Sequence, residues 1–112
     1  MDHRISELAT LVQDASDLLR DHSITLWADW LSDDAARIRR LDFSGIEHLL
    51  RAYGAMGGLN DVAISSRNGH SIEDKDVALV NDRLASLRSR IYDSAKQLAR
   101  EELAATRRGP AD

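Results

Sequence analysis

The sequence predicts an all-α fold: a small helical bundle of three to four helices with a long C-terminal helix and one irregular glycine-containing loop. Three observations predict it. Apolar residues recur at three- and four-residue steps over most of the chain, the spacing of one face of a helix. Leu and Ala are abundant, and the only proline is Pro110. Irregular composition is concentrated in one stretch, YGAMGGLND at residues 53–61, where Gly54, Gly57 and Gly58 precede Asn60 and Asp61.

Ile5, Leu8, Val12, Ala15 and Leu19, widened by Leu11 and Leu18, place an amphipathic helix over residues 3–21 with Glu7, Asp14 and Asp17 outward. Ser23 is the expected N-cap of a second helix. There Trp27, Leu31, Ile38 and Leu41 mark one face, Leu26 and Trp30 a neighbouring one, and Asp33 with Asp34 the opposite side. Arg37, Arg39 and Arg40 suit the negative end of its dipole.

Ser44-Gly45-Ile46-Glu47 matches a capping box, so a short third helix is expected over 45–53, with Phe43 and His48 stapled together and Gly54 as its left-handed C′ residue. Residues 54–71 form the irregular segment. Within it Val62-Ala63-Ile64 suits a short β excursion and Asn68-Gly69 a tight turn. Ser71, followed by Glu73, Asp74 and Asp76, is the expected start of the last helix.

Val77, Val80, Leu84, Leu87, Ile91, Ser94 and Leu98 then form a heptad seam with one polar interruption. A helix over 72–105 is about 50 Å long at 1.5 Å per residue. A compact domain of this length has a radius of gyration of about 13 Å, so the helix must bend, fray or project. Projection exposes the end of the seam to a partner or to a second copy in a homodimer. The expected organisation is one domain over 1–106 and a disordered tail over 107–112.

Composition narrows the chemistry. With no cysteine, disulfides, thiolate metal sites and cysteine nucleophiles are excluded. The N-terminus lacks a basic start and apolar run, and no stretch reaches the roughly 20 apolar residues of a membrane span, so a cytoplasmic location without membrane contact is expected. Residues 1–34 carry eight Asp or Glu against Arg4 and Arg20, a balance of −6. That acidity repels phosphate backbones, and the arginines elsewhere alternate with acids, so no nucleic-acid partner is expected.

Phosphate-cradling loops place glycine immediately before a helix start and follow it with lysine. Here the glycines follow a helix, no lysine is near, and the next helix begins with acids. A structural corner is the leading reading. Tyr53, His48, Asn60, Asp61, Asn68 and His70 form the alternative, the polar lining of a small-molecule, metal or enzymatic site. The histidines follow neither H-x-x-x-H nor H-E-x-x-H spacing, so no metal, cofactor or catalytic residue is assigned. Asp14, Asp17, Asp21, Asp29, Asp33 and Asp34 form an acidic face suited to a basic protein partner, with Trp30 as an interface anchor.

One resemblance rests on Asp42-Phe43-Ser44-Gly45, Glu47-His48-Leu49-Leu50, Tyr53-Gly54, Met56-Gly57-Gly58, Asn60-Asp61 and Asn68-Gly69-His70. Over roughly residues 25–100 the chain resembles a family of small bacterial proteins carrying an uncharacterised domain. The resemblance implies a bacterial, cytoplasmic, α-helical protein and carries over no activity. In its size and acidity the chain is similar to immunity proteins, which neutralise toxins. The functional expectation is a non-enzymatic protein-binding module, an immunity protein blocking a basic toxin domain.

Overall fold

The computed structural model describes residues 3–54 and 57–108. Four α-helices, α1 (His3–Asp21), α2 (Thr25–Arg39), α3 (Ser44–Arg51) and α4 (Val77–Arg108), are joined by short turns and by one segment containing three 3-10 turns. There is no strand among the described residues. Val62 takes extended dihedrals, φ −72° and ψ 120°, without pairing into a ladder.

The helices pack in a ring: α1 lies between α2 and α4, and α3 closes the ring between α2 and α4. The α1 stripe expected from the sequence is the buried one, with Leu8, Val12 and Leu19 fully inaccessible. Ala9, Ala15 and Ser16 on α1 and Ala28 and Ala35 on α2 are also buried, small side chains that let two helix backbones approach closely. The Ser16 hydroxyl donates to the Ala28 carbonyl at 2.7 Å, which satisfies that buried polar group and ties the pair.

Both turns flanking α2 differ from expectation, for one reason. The chain leaves α1 through Ser23 at φ 65° and leaves α2 through Leu41 at φ 61°. Ser23 N–H donates to Arg20 O and Ile24 N–H to Leu19 O; Leu41 N–H donates to Ile38 O and Asp42 N–H to Arg37 O. Each is a Schellman closure with a non-glycine residue in the left-handed position. Ser23 is therefore a helix stop, and Ile24 stands at the N-cap of α2 without a side-chain cap.

The Ser44–Glu47 capping box does not form either. A turn closed by Gly45 N–H on Asp42 O draws Ser44 into the first turn of α3. Its N–H and hydroxyl then both donate to Asp42 Oδ1, at 3.0 and 2.6 Å. Those two bonds hold the Asp42 carboxyl below the usual aspartate range.

Gly54 is not left-handed; among the described residues the positive-φ glycines are Gly57 and Gly69, at φ 78° and 80°. Gly69 closes the Asn68-Gly69 turn as expected. Ser71 does not cap α4, which begins at Val77 after a 3-10 turn at Asp74–Asp76. It is bound to the α1–α2 turn instead: its N–H donates to His22 O, His22 Nδ1–H donates to its carbonyl at 2.7 Å, and its hydroxyl lies 2.9 Å from Ser23 Oγ.

The α4 seam is buried at Leu84, Leu87, Ile91 and Leu98, with Ala95 beside it, so the chain's own core occupies it as far as Leu98. Arg4 on α1 meets Glu101 through two bonds of 2.6 and 2.9 Å, and α4 continues past that level to Arg108. The long helix accordingly projects. The radius of gyration is 15.4 Å and the principal extents are 59 × 27 × 20 Å. Positions 107 and 108 are helical, and the rest of the expected tail, 109–112, lies outside the described residues, as do positions 55 and 56. No helix of the described residues is long and apolar enough to cross a membrane.

Candidate functional site

Two elements assemble the first candidate. Asp34 follows Leu31 by three residues and precedes Ile38 by four, so it lies within the inward stripe of α2 and is fully buried. It is not part of the acidic surface. Across from it, Gly45 on α3 lies against α2 so tightly that a Cβ there would stand 2.7 Å from the Arg37 Cβ and 3.2 Å from the Asp34 carbonyl oxygen. That close approach brings His48, three residues on, over Asp34.

His48 Nδ1–H donates to Asp34 Oδ1 at 2.5 Å. The Trp30 ring stacks on the imidazole, with centroids 3.9 Å apart and planes 13° from parallel, and its Nε1–H donates to His48 O at 3.2 Å. His48 is thus held by α2 rather than by a staple with Phe43, and Trp30 is half-buried with its indole turned inward rather than free as a surface anchor. Asp34 Oδ2 is buried with no hydrogen-bond partner among the described residues. Burial pushes the Asp34 carboxyl up to about 6, against the lowering effect of the His48 bond. Donor atoms of Asp33, Asp34 and His48 all lie within 4.8 Å of one another, a set able to hold a metal ion.

The second candidate is a groove of about 440 Å³ between α3 and α4, lined by Tyr53, Asn60, Arg88, Tyr92, Asp93 and Lys96 among others. Tyr53 donates its hydroxyl to Arg88 O at 2.9 Å, and its ring meets Tyr92 at 5.0 Å. Burial raises the Tyr53 phenol above its ordinary value. Of the residues expected to line a loop site, only Tyr53 and Asn60 face this groove.

The others hold the loop itself. Asp61 accepts from Gly57 N–H at 2.6 Å, Asn68 donates to Ala63 O at 2.9 Å, and His70 Nδ1 accepts from Ser65 N–H at 3.1 Å. Leu59 and Ile64 carry the loop into the core. Two residues not singled out in the sequence fasten it to α4. Arg88 donates to the carbonyls of Leu59 and Val62 at 3.0 and 2.9 Å, and the Asn81 side chain bonds both backbone groups of Ile64. Their signal was legible: both are polar side chains beside seam positions, inside an apolar stripe.

The third candidate is the acidic face. Asp14, Asp17 and Asp21 are exposed on one stripe of α1, with Glu7 further along it. On α2, Leu26, Asp29 and Asp33 follow at the same three- and four-residue steps, all exposed. Arg20 on α1 bonds Asp29 on α2 at 3.0 Å, and Asp33 is paired with Arg37 at 3.0 Å, while Glu7 and Asp14 border a cleft that Arg90 of α4 also lines.

No curated protein and no solved structure matches the chain. Residues 20–73, from the last turn of α1 through the irregular segment, match the model of the family described as Domain of unknown function (DUF6966), a likeness over just under half of the chain that is consistent with an uncharacterised helical domain.

Proposed function

We propose that this chain is a non-enzymatic protein-binding module that docks a basic partner on the α1–α2 face, acting as an immunity protein for a bacterial toxin. The observation that carries the reading is the carboxylate stripe of α1. Asp14, Asp17 and Asp21 are exposed, and among the described residues Asp14 and Asp21 make no ion pair. Fixed on a packed helix, these charges steer a cationic surface into register and repel wrong partners. Leu26, 67 % exposed and one turn before Asp29 on α2, supplies an apolar contact. Inhibition follows by occlusion: the face covers the toxin's cleft while its Lys and Arg side chains meet the carboxylates.

The test is protection of cells against a toxin encoded beside this gene, with binding measured between the two purified proteins. The triple variant Asp14→Lys, Asp17→Lys, Asp21→Lys changes only exposed positions, so it should fold and melt like the native chain yet lose binding and protection. A native chain that neither binds nor protects, or a triple variant that does both undiminished, removes the reading.

A further inference from the structure

We propose that Asp33, Asp34 and His48 form a binding site for a divalent first-row transition-metal ion, with zinc as the probe that reveals it. The set combines one imidazole with two carboxylates, and its donor atoms converge within 4.8 Å from two different helices. Mixed nitrogen and oxygen donors suit zinc, cobalt or manganese, whereas magnesium and calcium prefer oxygen alone. Three protein ligands leave a fourth position for water.

An acidic cluster on its own would not carry this. The independent observation is Asp34 Oδ2, an oxygen of a fully buried side chain with no donor to satisfy it among the described residues. A buried carboxylate oxygen left without a partner is costly, and a cation bound to that carboxylate removes the cost. The ion has a route in, since Asp33 is exposed and the His48 side chain is 26 % exposed. It also has a preformed frame. The tight seat of Gly45 holds α3 on α2, and the stacked Trp30 ring with its bond to His48 O fixes the imidazole.

The ion takes the place of the proton on His48 Nδ1, and the imidazole stays neutral by holding its proton on Nε2 instead. The pair separates slightly, because ligands about 2.0–2.1 Å from a tetrahedral zinc stand further apart than a short hydrogen bond. Asp33 leaves Arg37 for the ion.

The experiment is calorimetric titration of the chelator-treated full chain with zinc chloride, alongside tryptophan fluorescence, for which Trp30 on the imidazole is a built-in reporter. One zinc per chain should bind, with a fluorescence change and no corresponding response to magnesium. Asp33→Asn, at an exposed position that does not threaten folding, should weaken binding by about tenfold or more, and His48→Gln should abolish it. His3→Ala should leave binding unchanged, which distinguishes this site from the exposed His3–Glu7 pair at 2.9 Å. Absence of one-to-one zinc binding overturns the proposal, and so does zinc binding that Asp33→Asn leaves intact.

Discussion

Gly45 sits where Arg37 leaves no room for any other residue: a Cβ built on it would lie 2.7 Å from the Arg37 Cβ, the rigid root of that side chain. The Asp34 carbonyl oxygen and Ile38 Cγ1 would stand at 3.2 Å. On an open helix, Gly→Ala stabilises by about 1 kcal/mol through propensity. Here α3 must back away from α2 to admit the methyl group, and overpacking of this kind costs about 1–3 kcal/mol. Gly45→Ala should therefore destabilise in urea denaturation and shift Trp30 fluorescence as His48 moves. A stabilised variant would show that α3 tolerates the displacement.

Asp34 makes stability depend on pH in an unusual direction. Its carboxyl is raised from 3.8 to about 6, chiefly by burial. Between those values the folded chain holds a proton that the unfolded chain has released, so stability falls as pH rises through that window and flattens above it. Asn at the same position does not titrate. In metal-free buffer the stability of the native chain relative to Asp34→Asn should drop between about pH 4 and pH 6, by on the order of 2 kcal/mol. Asp42, whose shift runs the opposite way, is common to both proteins and cancels. A difference that is flat or rises over that window would contradict the assignment.

Helix spans were legible in the sequence because a 3.6-residue period leaves a visible trace; α1 occupies the residues its apolar stripe marks. The serines were not. Ser23, Ser44 and Ser71 each stand where a cap is plausible, yet the left-handed residues at 23 and 41 set the backbone around the first two, and Ser71 is taken up by bonds to the α1–α2 turn. Asp34 reads as one more carboxylate of the acidic surface, although its position between Leu31 and Ile38 puts it inside the buried stripe. A carboxylate is almost never fully buried unless paired, and the partner that permits it, His48, lies in another element, beyond the reach of local spacing.

Leu41 carries a removable penalty. Its φ of 61° is a left-handed conformation that costs a residue with a Cβ roughly 1–2 kcal/mol, and it is 62 % exposed, so little packing is lost with its side chain. Glycine adopts that φ freely, though the unfolded chain gains entropy in return. Leu41→Gly should stabilise by about 0.5–1 kcal/mol in thermal or urea denaturation. Leu41→Ala retains the constraint and should give no gain, so equal effects of the two substitutions would locate the penalty elsewhere.

The loop that opens with YGAMGGLND depends on Asn81. Its Nδ2 donates to Ile64 O at 2.9 Å and to Val77 O at 2.8 Å, while its Oδ1 accepts from Ile64 N–H at 2.8 Å. Ile64 is fully buried, so both of its backbone groups rely on this one amide side chain. Asn81→Ala leaves a donor and an acceptor unsatisfied, a loss of about 1–3 kcal/mol. Asn81→Asp keeps the acceptor for Ile64 N–H but sets a carboxylate oxygen against the Ile64 and Val77 carbonyls, so it should cost at least as much as alanine. Hydrogen exchange separates this from a general loss of stability: the Ile64 amide should lose protection in Asn81→Ala by more than amides of the α1–α2 pair. If all regions lose protection equally, the loop and the bundle open as one unit and Asn81 is not a local clamp.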